Sequence, residues 1–259
     1  MKISEIINYL ESLVAIPLKD DTCDRVIIGS AQKEITGIGV SMFATPNVIK
    51  QAKADGINLL IVHEPLCYDN MDKIVRYPIG HEKIKLISEA GITVYRCHDI
   101  AHNTEPDIIY EGQIESMGLL GRCVKGKHWA VNRYVLDNEI TAAELASILE
   151  KQYGIKHIRI IGSTDKKGKN ISCCFGTPGH VIEELHETDF VLTGEICEWR
   201  EAEAVRDMAE MGYNKAVLVM GHIGSEREGM KLLANILNER FSDISSTYIE
   251  CGEVYSYVK

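Results

Sequence analysis

Histidine and carboxylate side chains collect directly after four apolar runs of this sequence, where they could hold metal ions. The residues are His63 and Glu64 after "NLLIV", His98, Asp99 and His102 after "ITVYRC", Glu195 after "FVLTG", and His222 and Glu226 after "AVLVMG". Imidazole and carboxylate are the ligands that suit zinc, iron or manganese. Their number exceeds what one tetrahedral ion with an open position needs. It favours two ions that share bridging groups and lie roughly 3.5–4 Å apart.

An alternation of strands and helices would bring these residues together. Each apolar run has the pattern of a buried strand, and helices such as "PNVIKQAKAD", which Thr45 and Pro46 should begin, come between them. This alternation predicts an α/β fold with largely parallel, helix-covered sheets. Ligands bind such sheets beyond the carboxyl ends of the strands. Beyond these strand ends we expect "HDIAH" to form a polar loop. We also expect Ser225 and Glu228 to form the capping box of a helix.

A new strand-helix-strand unit begins near residues 123–133, and this change in the pattern predicts a boundary between two α/β regions. Residues 1–124 would form a first lobe that carries the "VHE" and "HDIAH" clusters. Residues 125–259 would form a second region that carries the "TGE" and "GHIGSE" clusters. The sequence leaves open whether the C-terminal part of the second region packs back on the first lobe.

The composition narrows the class of partner. The chain has 259 residues, with 28 Lys and Arg against 38 Asp and Glu, which gives a net charge of −10. An acidic chain without a basic cluster disfavours duplex nucleic acid and membrane surfaces as partners. A small molecule that bound cations hold in place stays compatible with this charge. No apolar run approaches the roughly 20 residues of a membrane span, and we see no signal peptide. Eight scattered cysteines indicate reduced thiols in a cytoplasmic protein.

Each cluster also has an interpretation without metal. His63 could be a hydrogen-bonded histidine at a strand end, "HDIAH" a solvated loop, and "SERE" a helix N-terminus that Glu226 stabilises. A thiol enzyme is the main competing chemistry, because Cys67, Cys97 and Cys197 adjoin the same strand ends. The coincidence of several clusters at separate strand ends favours the metal site over these alternatives.

One further pattern links four segments of the chain: "TGIGVSMFATPNVIKQAKADGINLLIVHEPL", "ITVYRCHDIAH", "DFVLTGEI" and "GHIGSEREG". In order and spacing they resemble the NIF3-like family of dinuclear metal proteins, often labelled GTP cyclohydrolase 1 type 2-like. The resemblance covers almost the whole chain. It implies two α/β lobes with two divalent ions (Zn, Fe or Mn) in the cleft between them, and assembly as a homohexamer. Carried over by position, the metal ligands are His63, Glu64, His102, His222 and Glu226.

Two positions depart from the commonest pattern of that family. Many members have His-His where this chain has His63-Glu64, and many have an aspartate where it has His102. The two changes compensate, because the set of ligands stays at three histidines and two acids. The resemblance also implies that His98 or Asp99 binds a metal or orients a ligand.

The ligand set predicts a reaction class. Two bridged cations lower the pKa of a bound water and clamp the oxygen atoms of a displaced group. We therefore predict a metal-dependent hydrolase in which a metal-bridged water attacks a nucleotide-like, phosphoester or cyclic amide substrate. Glu195 is its candidate general base, and the alternative for Glu195 is a structural carboxylate at a strand end. The alternative for the whole protein is a non-catalytic metal-binding scaffold or a factor that handles metal for other proteins.

Overall fold

The chain forms two compact units in the computed structural model, which describes residues 1–73, 75, 77–126, 131–177 and 179–258. The first unit comprises Met1–Gly112 and Gly229–Lys259, and the second comprises Gln113–Glu228. The boundary predicted after residue 124 lies inside the second unit, and the C-terminal stretch belongs to the first. Part of the stretch 123–133, where the sequence predicts the boundary, falls outside the described residues.

The strands, in chain order, are β1 Arg25–Ile28, β2 Ile38–Ser41, β3 Leu59–Val62, β4 Thr93–Arg96, β5 Gly121–Lys125, β6 Asn132–Thr141, β7 Arg159–Gly162, β8 Lys167–Cys174, β9 Phe190–Thr193, β10 Ala216–Val219 and β11 Ser246–Tyr248. The first unit contains one sheet, in the order β1-β4-β3-β2-β11. Only its β1–β4 pair is antiparallel. The inner strands β2, β3 and β4 are buried along their whole length, as the strands of a helix-covered parallel sheet are.

The second unit contains a mixed sheet, in the order β5-β6-β8-β9-β10-β7. Its centre, β8-β9-β10, is parallel, and the pairs outside this centre are antiparallel. The α/β fold class is therefore confirmed, and the largely parallel arrangement holds for the first sheet and for the centre of the second.

The helices are α1 Ile3–Ser12, α2 Pro46–Ala54, α3 Pro78–Ala90, α4 Asp99–His102, α5 Ile108–Glu115, α6 Ala142–Tyr153, α7 Val181–Glu187, α8 Glu203–Glu210 and α9 His222–Arg240, with a π-helical turn, Glu198–Ala202, before α8. As predicted, Thr45 caps α2, and its hydroxyl accepts from the backbone N–H of Val48 at 3.2 Å. Among the described residues, no helix has the length and apolar content needed to cross a membrane.

The parallel strands of each unit end level with one another. In the first sheet Val62, the last residue of β3, pairs with Ser41 of β2 and with Arg96 of β4. In the second sheet Thr193 of β9 pairs with Cys174 and Val219. Residues that directly follow these strands therefore leave each sheet at a single edge, where the sequence places the histidines and carboxylates.

A buried ion pair fixes the loop that follows β3. The side chains of Arg96 and Asp72 are 2% and 0% exposed, and their charged atoms lie 3.7 Å apart. Arg96 Nε also donates to the carbonyl oxygen of His63 at 3.2 Å, and its Nη1 donates to the carbonyl of Asn70. Asp72 Oδ1 accepts from the backbone N–H of Cys67 at 2.8 Å. The pair therefore ties the backbone of His63 to the loop that continues from it.

We expect Arg96→Ala to lower the free energy of unfolding by about 3–5 kcal/mol, because it leaves the Asp72 carboxylate buried without its counter-ion. Arg206→Ala is the matched control, since it removes an exposed arginine that pairs with Glu203 and Glu210 on α8. The control should change the free energy by no more than about 1 kcal/mol. Urea unfolding followed by circular dichroism measures both. Equal losses in the two variants would contradict a structural role for the buried pair.

Candidate metal centre

Three imidazole rings lie against one another in the first unit, at the carboxyl ends of β3 and β4. The ring of His63 stacks on that of His98 with centroids 4.5 Å apart, and the ring of His102 is 5.1 Å from each. One nitrogen atom of each ring lies within 4.8 Å of the other two. Because zinc binds imidazole nitrogen at about 2.0–2.1 Å, this three-imidazole cluster needs only a small inward shift to hold one ion.

Each of these rings has its Nδ1 atom hydrogen-bonded to an oxygen atom. The partners are the carbonyl oxygen of Cys97 for His63 at 3.2 Å, Asp99 Oδ1 for His98 at 2.9 Å, and Asp107 Oδ2 for His102 at 3.0 Å. Since carbonyl and carboxylate oxygens accept, Nδ1 donates the proton of each bond, and in the neutral imidazole Nε2 then carries the lone pair. Metal-binding histidines are held in this way by a carbonyl or a carboxylate. The donor set therefore fits a divalent ion.

A carboxylate from a distant segment positions two of the three histidines. Asp24 Oδ1 accepts from the backbone N–H groups of His98 at 2.8 Å and Asp99 at 3.0 Å, and Oδ2 accepts from Ile100 at 2.6 Å. These bonds cap α4, the short helix that ends at His102. The prediction of a polar loop at "HDIAH" was wrong, because this cap stabilises a helical turn there.

Asp99 contacts the imidazole of His98 and is itself held in place. Its Oδ2 atom accepts from Thr22 Oγ1 at 2.8 Å. The hydrogen bond with His98 lowers the pKa of Asp99 well below its ordinary value, against the effect of burial and with help from Thr22. Asp99 is therefore ionised at neutral pH, and this carboxylate orients the ring of His98.

The second unit places one histidine between two carboxylates. His222, the first residue of α9, lies 2.8 Å from Glu195 Oε1 through Nδ1 and 3.1 Å from Glu226 Oε2 through Nε2. The latter separation is that of two neighbouring ligands on one ion bound at about 2.1 Å. The contact with Nδ1 gives Glu195 the position of a residue that orients a metal-binding histidine. The Glu226 side chain is 5% exposed, whereas that of Glu195 is 58% exposed.

A glycine turn after β8 packs against the start of α9. Ser225 Oγ accepts from the backbone N–H of Gly176 at 3.0 Å and donates to the carbonyl of His222 at 2.9 Å. The helix begins at His222, so the prediction that Ser225 caps it was wrong, because the Ser225 hydroxyl binds the turn instead. Gly176 has a φ of 65°, and a Cβ atom there would lie 2.3 Å from Glu226 Oε1. Only glycine leaves room for this carboxylate.

The cysteines near the strand ends differ in their environment. Burial raises the pKa of the Cys97 thiol well above its ordinary value, and burial also raises that of Cys67. Both are therefore protonated at neutral pH, which disfavours them as nucleophiles. Cys197 is half-buried and lines a cavity together with Glu195. It is the cysteine for which the thiol hypothesis remains open.

The structure thus gathers the predicted residues into one group in each unit. The groups are His63, His98 and His102 in the first unit, and Glu195, His222 and Glu226 in the second. Glu64 follows His63 and is 8% exposed. That the five predicted ligands bind metal remains a prediction.

Sequence reasoning missed the residues that hold these groups in place. Asp24 and Asp107 are carboxylates in polar stretches, and nothing in their local sequence marks them. Gly176 carries a partial signal, because the run "CFGTPG" is typical of a tight turn.

We expect Gly176→Ala to weaken metal binding about 10–100-fold, the range found when the orientation of a ligand is disturbed, because the new methyl group displaces the Glu226 carboxylate. Gly154→Ala is the matched control: Gly154 has a φ of 63°, and nothing lies within 4 Å of its Cβ position. Both variants should lose about 1–2 kcal/mol of stability from backbone strain. Competition with a chromophoric chelator measures the affinity. Wild-type affinity in Gly176→Ala would remove Glu226 from the ligand set.

Comparisons with known proteins agree with this fold. A protein of Clostridium perfringens named GTP cyclohydrolase 1 type 2 homolog is 25% identical over 264 residues, which cover 94% of each chain. One of the same name from Clostridium acetobutylicum is 27% identical over 237 residues, or 87% of this chain and 85% of that protein. A hypothetical protein of Staphylococcus aureus has the same fold, with a TM-score of 0.78 at 18% identity over 100% of this chain and 99% of its own. The family described as Duf34/NIF3 (NGG1p interacting factor 3) matches residues 1–253. The predicted resemblance is confirmed: the chain belongs to the Duf34/NIF3 family.

Proposed function

We propose that the protein is a metal-dependent hydrolase with two divalent ions per chain. The three-imidazole cluster is the observation that carries this proposal. Its Nδ1 atoms are bonded to Cys97, Asp99 and Asp107, so the rings are oriented for a metal before one binds. Zinc, iron or manganese suits this donor set, and would supply Lewis-acid activation of water and of the substrate.

In the second unit, two residues would bind metal and a third would accept a proton. We assign His222 and Glu226 as ligands, which the 3.1 Å separation of their donor atoms supports. Glu195 has two roles compatible with its place: it orients His222 through the 2.8 Å contact, and its exposed carboxylate can take a proton from an attacking water. Both roles require Glu195 to be ionised.

A cavity beside Glu195 supports an anionic, nucleotide-like or phosphoester substrate. Its volume is about 290 Å³, and its wall includes Thr177, Glu195 and Arg200. Arg200 lies in the π-helical turn and pairs with Glu201, and its guanidinium lies 5.9 Å from the centroid of the ring of Trp199. A guanidinium at the wall of a cavity suits a phosphate group. The names of the relatives, GTP cyclohydrolase 1 type 2 homolog, agree with a nucleotide-like or cyclic amide substrate.

We expect protein purified without added metal to contain about two divalent ions per chain, and chelation to abolish hydrolysis of a panel of nucleotides and phosphoesters. His63→Ala should lose the ion of the three-imidazole cluster and turnover together, because it removes one ligand of that cluster. His186→Ala, an exposed histidine of α7, is the matched control and should keep both. Elemental analysis and turnover after metal is restored measure the result.

The same experiment separates the hydrolase from the alternative of a metal-binding scaffold or metal-handling factor. A fully metallated protein that turns over nothing in the panel, yet transfers its metal to an apo-protein acceptor, would replace the hydrolase proposal with the metal-handling one. The cytoplasmic homohexamer is likewise a proposal, and analytical ultracentrifugation measures its stoichiometry.

We expect Cys197→Ser to keep hydrolysis within about twofold of the wild type, because the proposed chemistry needs no thiol. Alkylation of Cys197 in the wild type should block the cavity and lower turnover, whereas the alkylating reagent should leave turnover of the serine variant unchanged. Loss of turnover in Cys197→Ser with its metal content retained would favour the thiol enzyme instead.

A further inference from the structure

A thiol, an imidazole and a carboxylate lie together in a second group that shares His98 with the three-imidazole cluster. Cys23 Sγ is 3.6 Å from Asp99 Oδ1, and His98 Nδ1 is 2.9 Å from the same oxygen. One donor atom of each of the three residues lies within 4.8 Å of those of the other two. Cys23 is 6% exposed, whereas the side chains of His98 and Asp99 are each 32% exposed, so the thiol is the most shielded of the three donors.

We propose that Cys23, His98 and Asp99 form a further metal site, for an ion that accepts thiolate, such as Zn²⁺ or Fe²⁺. His98 would bind this ion through Nδ1 and serve the three-imidazole cluster through Nε2. The inference goes beyond the proposed function, which places no thiolate at the centre. It holds whether or not the protein is a hydrolase.

The surroundings hold the three donors in place. Asp99 Oδ2 accepts from Thr22 Oγ1 at 2.8 Å, so Oδ1 is the oxygen that faces the thiol and the imidazole. Asp24 accepts from the backbone N–H groups of His98 and Asp99, which fixes the chain at both donors. Ligands whose other atoms are held by hydrogen bonds are typical of metal sites.

The charge and the ligand types fit a thiolate-preferring divalent ion. Asp24 Oδ1 lies 3.5 Å from Cys23 Sγ, so two carboxylates face the sulfur, and a cation would neutralise their charge. One sulfur, one nitrogen and one oxygen ligand leave a fourth position open on a tetrahedral ion, as in catalytic zinc sites. A thiolate in the set selects zinc or iron over magnesium, calcium or manganese.

Proton release follows from the ligand set. Binding of the ion to Cys23 forms the metal–sulfur bond and releases the thiol proton to solvent. When His98 binds ions through both ring nitrogens, its Nδ1 proton is released as well. Filling of both sites therefore releases two protons from these two residues. No electron transfer is involved, so no oxidant or reductant is needed.

Cobalt(II) added to the metal-free full-length chain tests the proposal, because thiolate ligation gives an intense charge-transfer absorption in the near ultraviolet that nitrogen and oxygen ligands do not give. We expect this absorption in the wild type and its loss in Cys23→Ser. Cys67→Ser, at another buried cysteine of the first unit, is the matched control and should keep it. Circular dichroism checks that each variant is folded.

Three results would overturn the proposal: cobalt bound without the charge-transfer absorption in the wild type, the absorption persisting in folded Cys23→Ser, or its loss in Cys67→Ser alone. Should Cys23→Ser not fold, Asp99→Asn keeps the thiol and should shift the absorption, and an unshifted band would count against the site. His63→Ala should keep the absorption while it loses hydrolysis. The charge-transfer absorption therefore tests the thiolate site, and turnover separately tests the hydrolase proposal.

Discussion

The first-unit site depends on one carboxylate and three backbone N–H groups. Asp24 binds the amides of His98, Asp99 and Ile100, and through them turns a polar segment into a helical turn. That turn determines where the His98 ring stacks and where the His102 ring meets it. Charge-assisted hydrogen bonds to backbone amides are stronger than neutral ones, which suits a contact that must position the rings of His98 and His102.

The strand ends, and the fold class, could be predicted from the sequence because apolar runs and glycine-terminated helices are local signals. Val62, Ser41 and Arg96 end three neighbouring strands at the same edge of the first sheet, and parallel pairing of these strands is enough to predict this. The sequence alone therefore identifies His63 and His222 as residues at these strand ends. The mixed pairing of the second sheet could not be read in this way, because β6 pairs with β8 and β7 pairs with β10 across intervening elements of the chain.

The site residues that escaped prediction act over long distances in the sequence. Asp24 reaches residues more than seventy positions away, and Gly176 meets Ser225 across forty-nine. A hydrogen-bonding side chain gives no local sign of which of several partners it will bind. Ser225 illustrates this, since its position suited a helix cap and its hydroxyl instead binds Gly176, as well as the carbonyl of His222.

The π-helical turn has a practical consequence for spectroscopy. Trp199 is 80% exposed, is one of only two tryptophans in the sequence, and directly precedes Arg200 at the cavity wall. An indole in this place is sensitive to the charge and the water around it. The chain thus carries its own fluorescent reporter within one turn of the cavity, so occupancy of that cavity can be followed in real time without an attached dye.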